Sequence, residues 1–125
     1  MNPQDLRYTK SHEWISADGT VGISDHAQHE ITDVVFVELP AVGRAVKAAE
    51  ACAVVESVKA AFDIYAPVSG TVAQVNDAAS KNPALLNQSC YDQGWLFKIQ
   101  MTSPAERDGL MTLDQYQDFV KSGGH

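Results

Sequence analysis

Apolar and polar positions alternate along most of this chain in short blocks, and only its last quarter shows the spacing of a helix. Val21 and Ile23 alternate with Thr20 and Gly22 behind Asp18-Gly19, a pair that predicts a type I′ hairpin turn with positive φ at both central residues. Ser24 then predicts an N-cap for a short helix through about Glu30. Asp33 to Leu39 is β-branched and aromatic and ends at Pro40, the signature of a buried strand. Ala51 to Ser57 predicts a second apolar strand. A third, with one buried face, is predicted where Phe62, Ile64 and Ala66 alternate with Asp63 and Tyr65. Pro67 and Ser69-Gly70 interrupt the pattern, and Thr71 to Val75 resumes it. Pro83 opens a short helical turn ending near Asn87. Trp95, Phe97, Ile99 and Met101 alternate with Lys98 and Gln100 as a half-buried strand should.

The C-terminal segment, about 104–122, reads as helical. Ser103-Pro104-Ala105-Glu106 has the form of a capping box with proline at the first helical position, and Thr112-Leu113-Asp114-Gln115 has the form of a second box. Leu113, Tyr116, Phe119 and Val120 share a helical face, and Gly123-Gly124 supplies a stop. Many short strands with a terminal helix imply a small β-sandwich or barrel with helical additions. No linker or low-complexity tract divides residues 1–125, so one domain is expected.

Charge narrows the possible partners. Nine Lys/Arg against sixteen Asp/Glu leave a formal net charge of −7, and no basic cluster offsets it, which disfavours nucleic acid and anionic membranes. No apolar run is long enough to span a bilayer, and the N-terminal residues resemble no leader, so a cytoplasmic, monomeric protein is expected. Cys52 and Cys90 are too few for a disulfide framework and fit no zinc spacing; Cys52, within an apolar strand, is expected to be a buried inert thiol.

Few residues invite chemistry. Lys59 stands alone between two predicted strands, flanked by the small, uncharged Val58 and Ala60, where the connecting loop forms a hairpin tip. Such a lysine projects a flexible stem that a modifying enzyme can reach, although its own neighbourhood equally describes a solubilising surface lysine. His26 and His29 could share a helical face as metal pairs do, but no further ligand completes a site. His12 beside Glu13 could mimic an acid–base pair, yet no nucleophile accompanies it. Trp14 and Trp95 are read as core residues. No acid, base and nucleophile cluster can be placed, so a non-enzymatic role is expected.

The run Val55-Glu56-Ser57-Val58-Lys59-Ala60 resembles the lipoylation segment of the glycine cleavage H-protein family. Ser11-His12-Glu13-Trp14, Gly22 to Gln28, Val35 to Pro40, Tyr65 to Gly70 and Gly94-Trp95-Leu96 resemble family signatures in the family's order, so the likeness spans Arg7 to Val120. Biotin carriers typically flank their lysine with methionines, which disfavours biotin here. Ala49 and Ala53 stand where the family often has glycines, and Cys90 where a proline is common. Because alanine adopts positive φ only at a cost, the turn near Ala49 is expected to take a different shape.

The resemblance implies a mainly β, lipoyl/biotinyl-carrier-like fold: a flattened β-barrel sandwich of hammerhead type with short helices and a C-terminal helix. It implies lipoic acid covalently bound to Lys59 through an amide, attached by a lipoyl or octanoyl transferase or ligase. It further implies three working partners. These are the pyridoxal-phosphate glycine decarboxylase (P protein), the tetrahydrofolate-dependent aminomethyltransferase (T protein) and the flavin- and NAD-dependent dihydrolipoyl dehydrogenase (L protein). The carrier would move the aminomethyl group of glycine between the first two and be reoxidised by the third, contributing attachment, reach and recognition. Ser11, Glu13 and Asp63 are implied as the groups that hold the amine end in a surface cleft, since carboxylates suit an ammonium. The alternative for Glu13 and Asp63 is that they are solvated surface acids. Other readings are an H-like lipoyl donor or a carrier in sulfur-compound oxidation, and an unmodified scaffold that only binds partners.

Overall fold

The computed structural model describes residues 1–123, so Gly124, half of the expected helix stop, lies outside the described residues. Among the described residues nine strands form two sheets that face each other across one core. Six of them, β1 (Arg7–Tyr8), β2 (Glu13–Ile15), β3 (Thr20–Ile23), β5 (Ala45–Val46), β8 (Gly70–Val75) and β9 (Phe97–Met101), make a sheet in the order β1-β2-β3-β9-β8-β5. The other three, β4 (Val34–Glu38), β6 (Ala51–Ser57) and β7 (Ala61–Tyr65), make a sheet in the order β4-β6-β7. All pairings are antiparallel. The expected sandwich is thus present, but as two separate sheets rather than a closed barrel.

Five short helices, α1 (Asp25–Ile31), α2 (Asp77–Lys81), α3 (Leu85–Gln88), α4 (Ala105–Asp108) and α5 (Leu113–Lys121), and a 3-10 turn at Pro3–Asp5 surround the sheets. Ser24 caps α1 by accepting from Ala27 N–H at 3.1 Å, as its residue type demands. Thr112 and Gln115 form the expected reciprocal box at the start of α5. The box expected at Ser103–Glu106 does not form. Glu106 instead turns its carboxylate to Ser69, accepting from the backbone N–H at 3.0 Å and from the hydroxyl at 3.3 Å. A tertiary partner has outcompeted the local cap, and the helical end divides into α4 and α5 around a Tyr8–Met111 bridge.

The core between the sheets contains Ile15, Val21, Ile23, Val37, Val55, Ile64, Val72, Phe97 and Ile99, the inward members of each alternating pattern. A second cluster, Leu6, Tyr8, Trp14 and Tyr116, lies where α5 packs on the β1–β2 end, with Trp95, half-buried, against it. Strand β2 is therefore buried along its whole length, Glu13 included. Trp14 is accommodated because its neighbour is Gly22: a Cβ there would stand 2.5 Å from the indole Cζ2.

Three local expectations need correcting. Strand β4 is an edge strand with a register shift between Val34 and Phe36, so Val35 and Phe36 are exposed while Val34 and Val37 are buried. The Asp18-Gly19 hairpin is a three-residue loop: Gly19 N–H donates to Ser16 O at 3.1 Å, and only Gly19 has positive φ, at 91°. A three-residue loop with one left-handed residue serves here in place of a two-residue type I′ turn. At Ala49 the left-handed backbone is kept, with φ of 68° despite the side chain. Ala49 N–H donates to Ala66 O and Ala66 N–H to Glu50 O, each at 2.8 Å, and this pairing holds the turn.

A left-handed alanine costs roughly 1–2 kcal/mol, against about 0.4–1 kcal/mol of extra chain entropy that glycine would lose on folding. Ala49→Gly is expected to raise the unfolding free energy by roughly 0.5–1 kcal/mol. Urea unfolding of the two chains, compared at equal m-value, checks this.

Candidate functional site

Lys59 sits at the tip of the β6–β7 hairpin, beyond the last strand pair Glu56–Ala61. Ser57 shapes the tip. Its backbone N–H donates to Ala60 O at 2.9 Å, and its hydroxyl oxygen accepts from Lys59 N–H at 3.2 Å and Ala60 N–H at 3.3 Å. A serine turn of this kind satisfies the tip amides without a left-handed residue, and none occurs there. Ser57 is buried, while Val58, Lys59 and Ala60 stand in solvent, Val58 with 75% of its surface exposed. The turn is held by hydrogen bonds, and Lys59 is exposed on it.

Glu13 is the opposite case. Its side chain is completely buried, which removes the reading of a solvated surface acid for this residue. Oε1 accepts from the Thr9 and Ser11 hydroxyls, both at 2.6 Å, and Oε2 accepts from the backbone N–H of Tyr65 at 3.3 Å. Tyr65 closes β7, an edge of the smaller sheet, so the carboxylate ties that edge to the larger sheet. Burial pushes the Glu13 carboxyl above its ordinary value, and the hydrogen bonds from Ser11, Thr9 and Tyr65 oppose that shift without cancelling it.

Two depressions lie on this side of the fold, and Glu13 lines the larger of them. A cleft of about 550 Å³ is lined by Thr9, Ser11, Glu13, Ala49 and Tyr65 among others. A smaller one of about 250 Å³ is lined by Ser11, His12, His26, Glu30, Phe62 and Asp63, with Ile23, Ala27, Ile31 and Ile64 as its apolar walls. Ser11 borders both. The structure thus brings Ser11 and Glu13 into contact, whereas Asp63 stays exposed and no hydrogen bond joins it to either. Asp63 lies four residues beyond Lys59 on β7, roughly 13 Å of extended chain. An ammonium entering the smaller depression would meet carboxylates of Asp63 and Glu30 at its rim and a hydroxyl at its boundary with the larger one.

Thr9 and the Tyr65 amide were not singled out in the sequence. A threonine and a serine, four and two residues before a glutamate, carry no distinctive signal, and a backbone amide carries none. His12 places its Nδ1 2.7 Å from the Tyr116 hydroxyl. His26 and His29 each lie beside a carboxylate of their own helix, Glu30 at 3.5 Å and Asp25 at 3.3 Å, and no cluster of metal-binding residues occurs among the described residues. Both cysteines are free and buried, and burial lifts each thiol to about 11. No helix among the described residues is long and apolar enough to cross a membrane.

The family model described as Glycine cleavage H-protein matches residues 6–123. A glycine cleavage system H protein of Endomicrobium trichonymphae is 53% identical over 121 residues, covering 94% of this chain and 98% of its own. One of Deinococcus radiodurans is 61% identical over 104 residues, covering 83% and 87%. Among solved structures, a glycine cleavage system H protein from Mycobacterium marinum superposes with a TM-score of 0.86 at 39% identity, covering 98% of this chain and 99% of that one.

A raised carboxyl value in the folded state means that protonated Glu13 favours folding. That contribution is complete below the ordinary value of 4.5 and is lost as pH rises through the folded value. Parent stability is therefore expected to carry a component that falls as pH rises above 4.5, and Glu13→Gln is expected to lack it. Thermal melts of both chains from pH 4 to pH 8 measure the difference.

Proposed function

The chain belongs to the glycine cleavage H-protein family, and we propose that it carries the family's lipoyl arm on the Nζ of Lys59. Members of this family are lipoyl-bearing carriers that work with the P, T and L proteins of the glycine cleavage system, and this chain has the H-protein role in that system. The observation that carries the Lys59 assignment is its place at a solvent-exposed hairpin tip, on a turn braced by a buried serine. An amide at that amine would need only a ligase or transferase to reach it, and the braced turn presents a constant backbone for recognition.

When bound, the dithiolane would supply reversible disulfide chemistry that no side chain of this protein offers, since both thiols are buried. What the protein's own residues do is anchor, bind and shelter. Lys59 provides a flexible tether. Asp63 and Ser11, on the smaller depression, and Glu13, buried behind Ser11, hold the ammonium of the aminomethyl cargo after it is loaded by the decarboxylase and before it is passed to the aminomethyltransferase. Charge-assisted hydrogen bonds suit that ammonium, and the apolar walls Ile23, Ile31 and Ile64 exclude the water that would hydrolyse its carbon–sulfur linkage. The chain itself would turn nothing over, and reoxidation of a bound dithiol would fall to the dihydrolipoyl dehydrogenase.

Two outcomes follow from this assignment. Lys59→Arg keeps the charge but cannot be acylated, so reconstituted glycine–bicarbonate exchange is expected to fall to background, and intact-mass measurement is expected to find no lipoyl increment. Exchange retained by the arginine chain would end the assignment. Glu13→Ala removes the buried carboxylate, and the loaded carrier is expected to release its cargo as ammonia and formaldehyde faster by about tenfold, the factor of one charge-assisted hydrogen bond. Release at the parent rate would remove Glu13 from the shelter.

A further inference from the structure

The chain makes the same reversal twice within its first twenty residues. At Ser16–Thr20, Gly19 N–H donates to Ser16 O at 3.1 Å and Ser16 N–H to Thr20 O at 2.9 Å. At Thr9–Glu13, His12 N–H donates to Thr9 O at 3.2 Å and Thr9 N–H to Glu13 O at 3.0 Å. The fourth residue is left-handed in both, with φ of 91° at Gly19 and 75° at His12. Glycine enters that region at no steric cost, so the second reversal needs no outside support. A histidine there is strained, and such strain persists only where the surroundings over-determine it.

The surroundings of His12 include residues from the far end of the chain. Its Nδ1 lies 2.7 Å from the Tyr116 hydroxyl on α5, and its ring lies 4.8 Å from that of His26 and 6.2 Å from that of Phe119. The same Tyr116 hydroxyl lies 2.7 Å from Ser24 Oγ, while Ser24 N–H donates to His12 O at 3.0 Å. Tyr116 is itself buried and stacked on Tyr8 at 4.7 Å, on a helix started by its capping box. Opposite this strut, the same reversal carries the Thr9 and Ser11 hydroxyls that donate to Glu13.

We propose that Tyr116 is a positioning residue for the cleft: through His12 it holds the Thr9–Glu13 reversal in the form that aims the Thr9 and Ser11 hydroxyls at the Glu13 carboxylate. The C-terminal helix is then part of the site, although none of its residues lines the smaller depression. A glycine at position 12 would have made the reversal independent of α5, as at Gly19. The histidine makes the geometry around Glu13 conditional on α5 being docked. The sheltering of the amine rests on the function proposed above; the positioning of Glu13 does not.

Tyr116→Phe deletes the hydroxyl and keeps the ring that stacks on Tyr8, and His12→Gly lets the reversal form without its strut. In the unmodified chain, labelled with carbon-13 at glutamate side chains, the carboxyl titration of Glu13 is followed by NMR. Tyr116→Phe is expected to move its midpoint upward, because hydroxyl donors that favour the carboxylate lose their aim. Adding Tyr116→Phe to His12→Gly is expected to move it no further. In the loaded carrier, at a temperature where thermal melts show every chain folded, Tyr116→Phe is expected to speed cargo release about two- to tenfold, the factor of one net hydrogen bond. An unmoved midpoint in Tyr116→Phe, or the same movement with and without His12, overturns the positioning role. A Glu13→Gln carrier that releases its cargo at the parent rate overturns the sheltering role instead, and the unmodified-chain titration tells the two failures apart.

Discussion

A carboxylate held out of water is the constraint on which the rest of this molecule turns. Removing an ionisable group from solvent is costly unless every lone pair finds a donor. Glu13 finds its donors in two hydroxyls of its own hairpin loop and in the edge amide of the opposite sheet. The two sheets must therefore meet at one separation and register near Tyr65. An apolar residue at position 13 would pack the same space without that requirement. The carboxylate spends stability to create a polar point inside an apolar seam, which is the usual balance at a binding site.

The hairpin that carries Lys59 answers a different need. Its strands belong to the small sheet, and Val55 and Ile64 lock them to the core, while Val58, Lys59 and Ala60 at the tip are exposed. In the proposed role a tether needs a shaped root, and the turn below Lys59 is held by a serine hydroxyl that satisfies two tip amides. Because Asp63 lies on the same β7 that leads away from the tip, one strand both positions the anchor and borders the depression. The net charge of −7 would favour partners with basic surfaces, through an attraction that salt screens.

Much of this was legible in the chain. An apolar run located β6, and period-two alternation located β7, β8 and β9, to within a residue or two, and Ser24 and Thr112 marked true helix starts. The Glu-Ser-Val-Lys-Ala run pointed to a hairpin tip, and a hairpin tip is what carries it. The failures share a cause. Glu106 suits a local cap but bonds Ser69, Val35 and Phe36 suit a core but lie on an edge strand with a register shift, and Ala49 stays left-handed because Ala66 and Glu50 grip its turn. In each, a partner distant in sequence outweighed a local preference worth about 1 kcal/mol. Short helix α2, with no side-chain cap at Asn76, carried too weak a signal to be foreseen.

Local order was written into the sequence: which residues alternate, where helices start, and which lysine stands alone between strands. These depend on interactions among near neighbours, which a linear string records. Tertiary structure alone decided that Glu13 is buried rather than solvated, that Ser11 rather than Asp63 touches it, that His12 turns away toward Tyr116, and that two sheets stay open instead of closing into a barrel. Each of those outcomes depends on groups that folding brings together from separate parts of the chain, and the cost of a buried charge is set by that assembled environment.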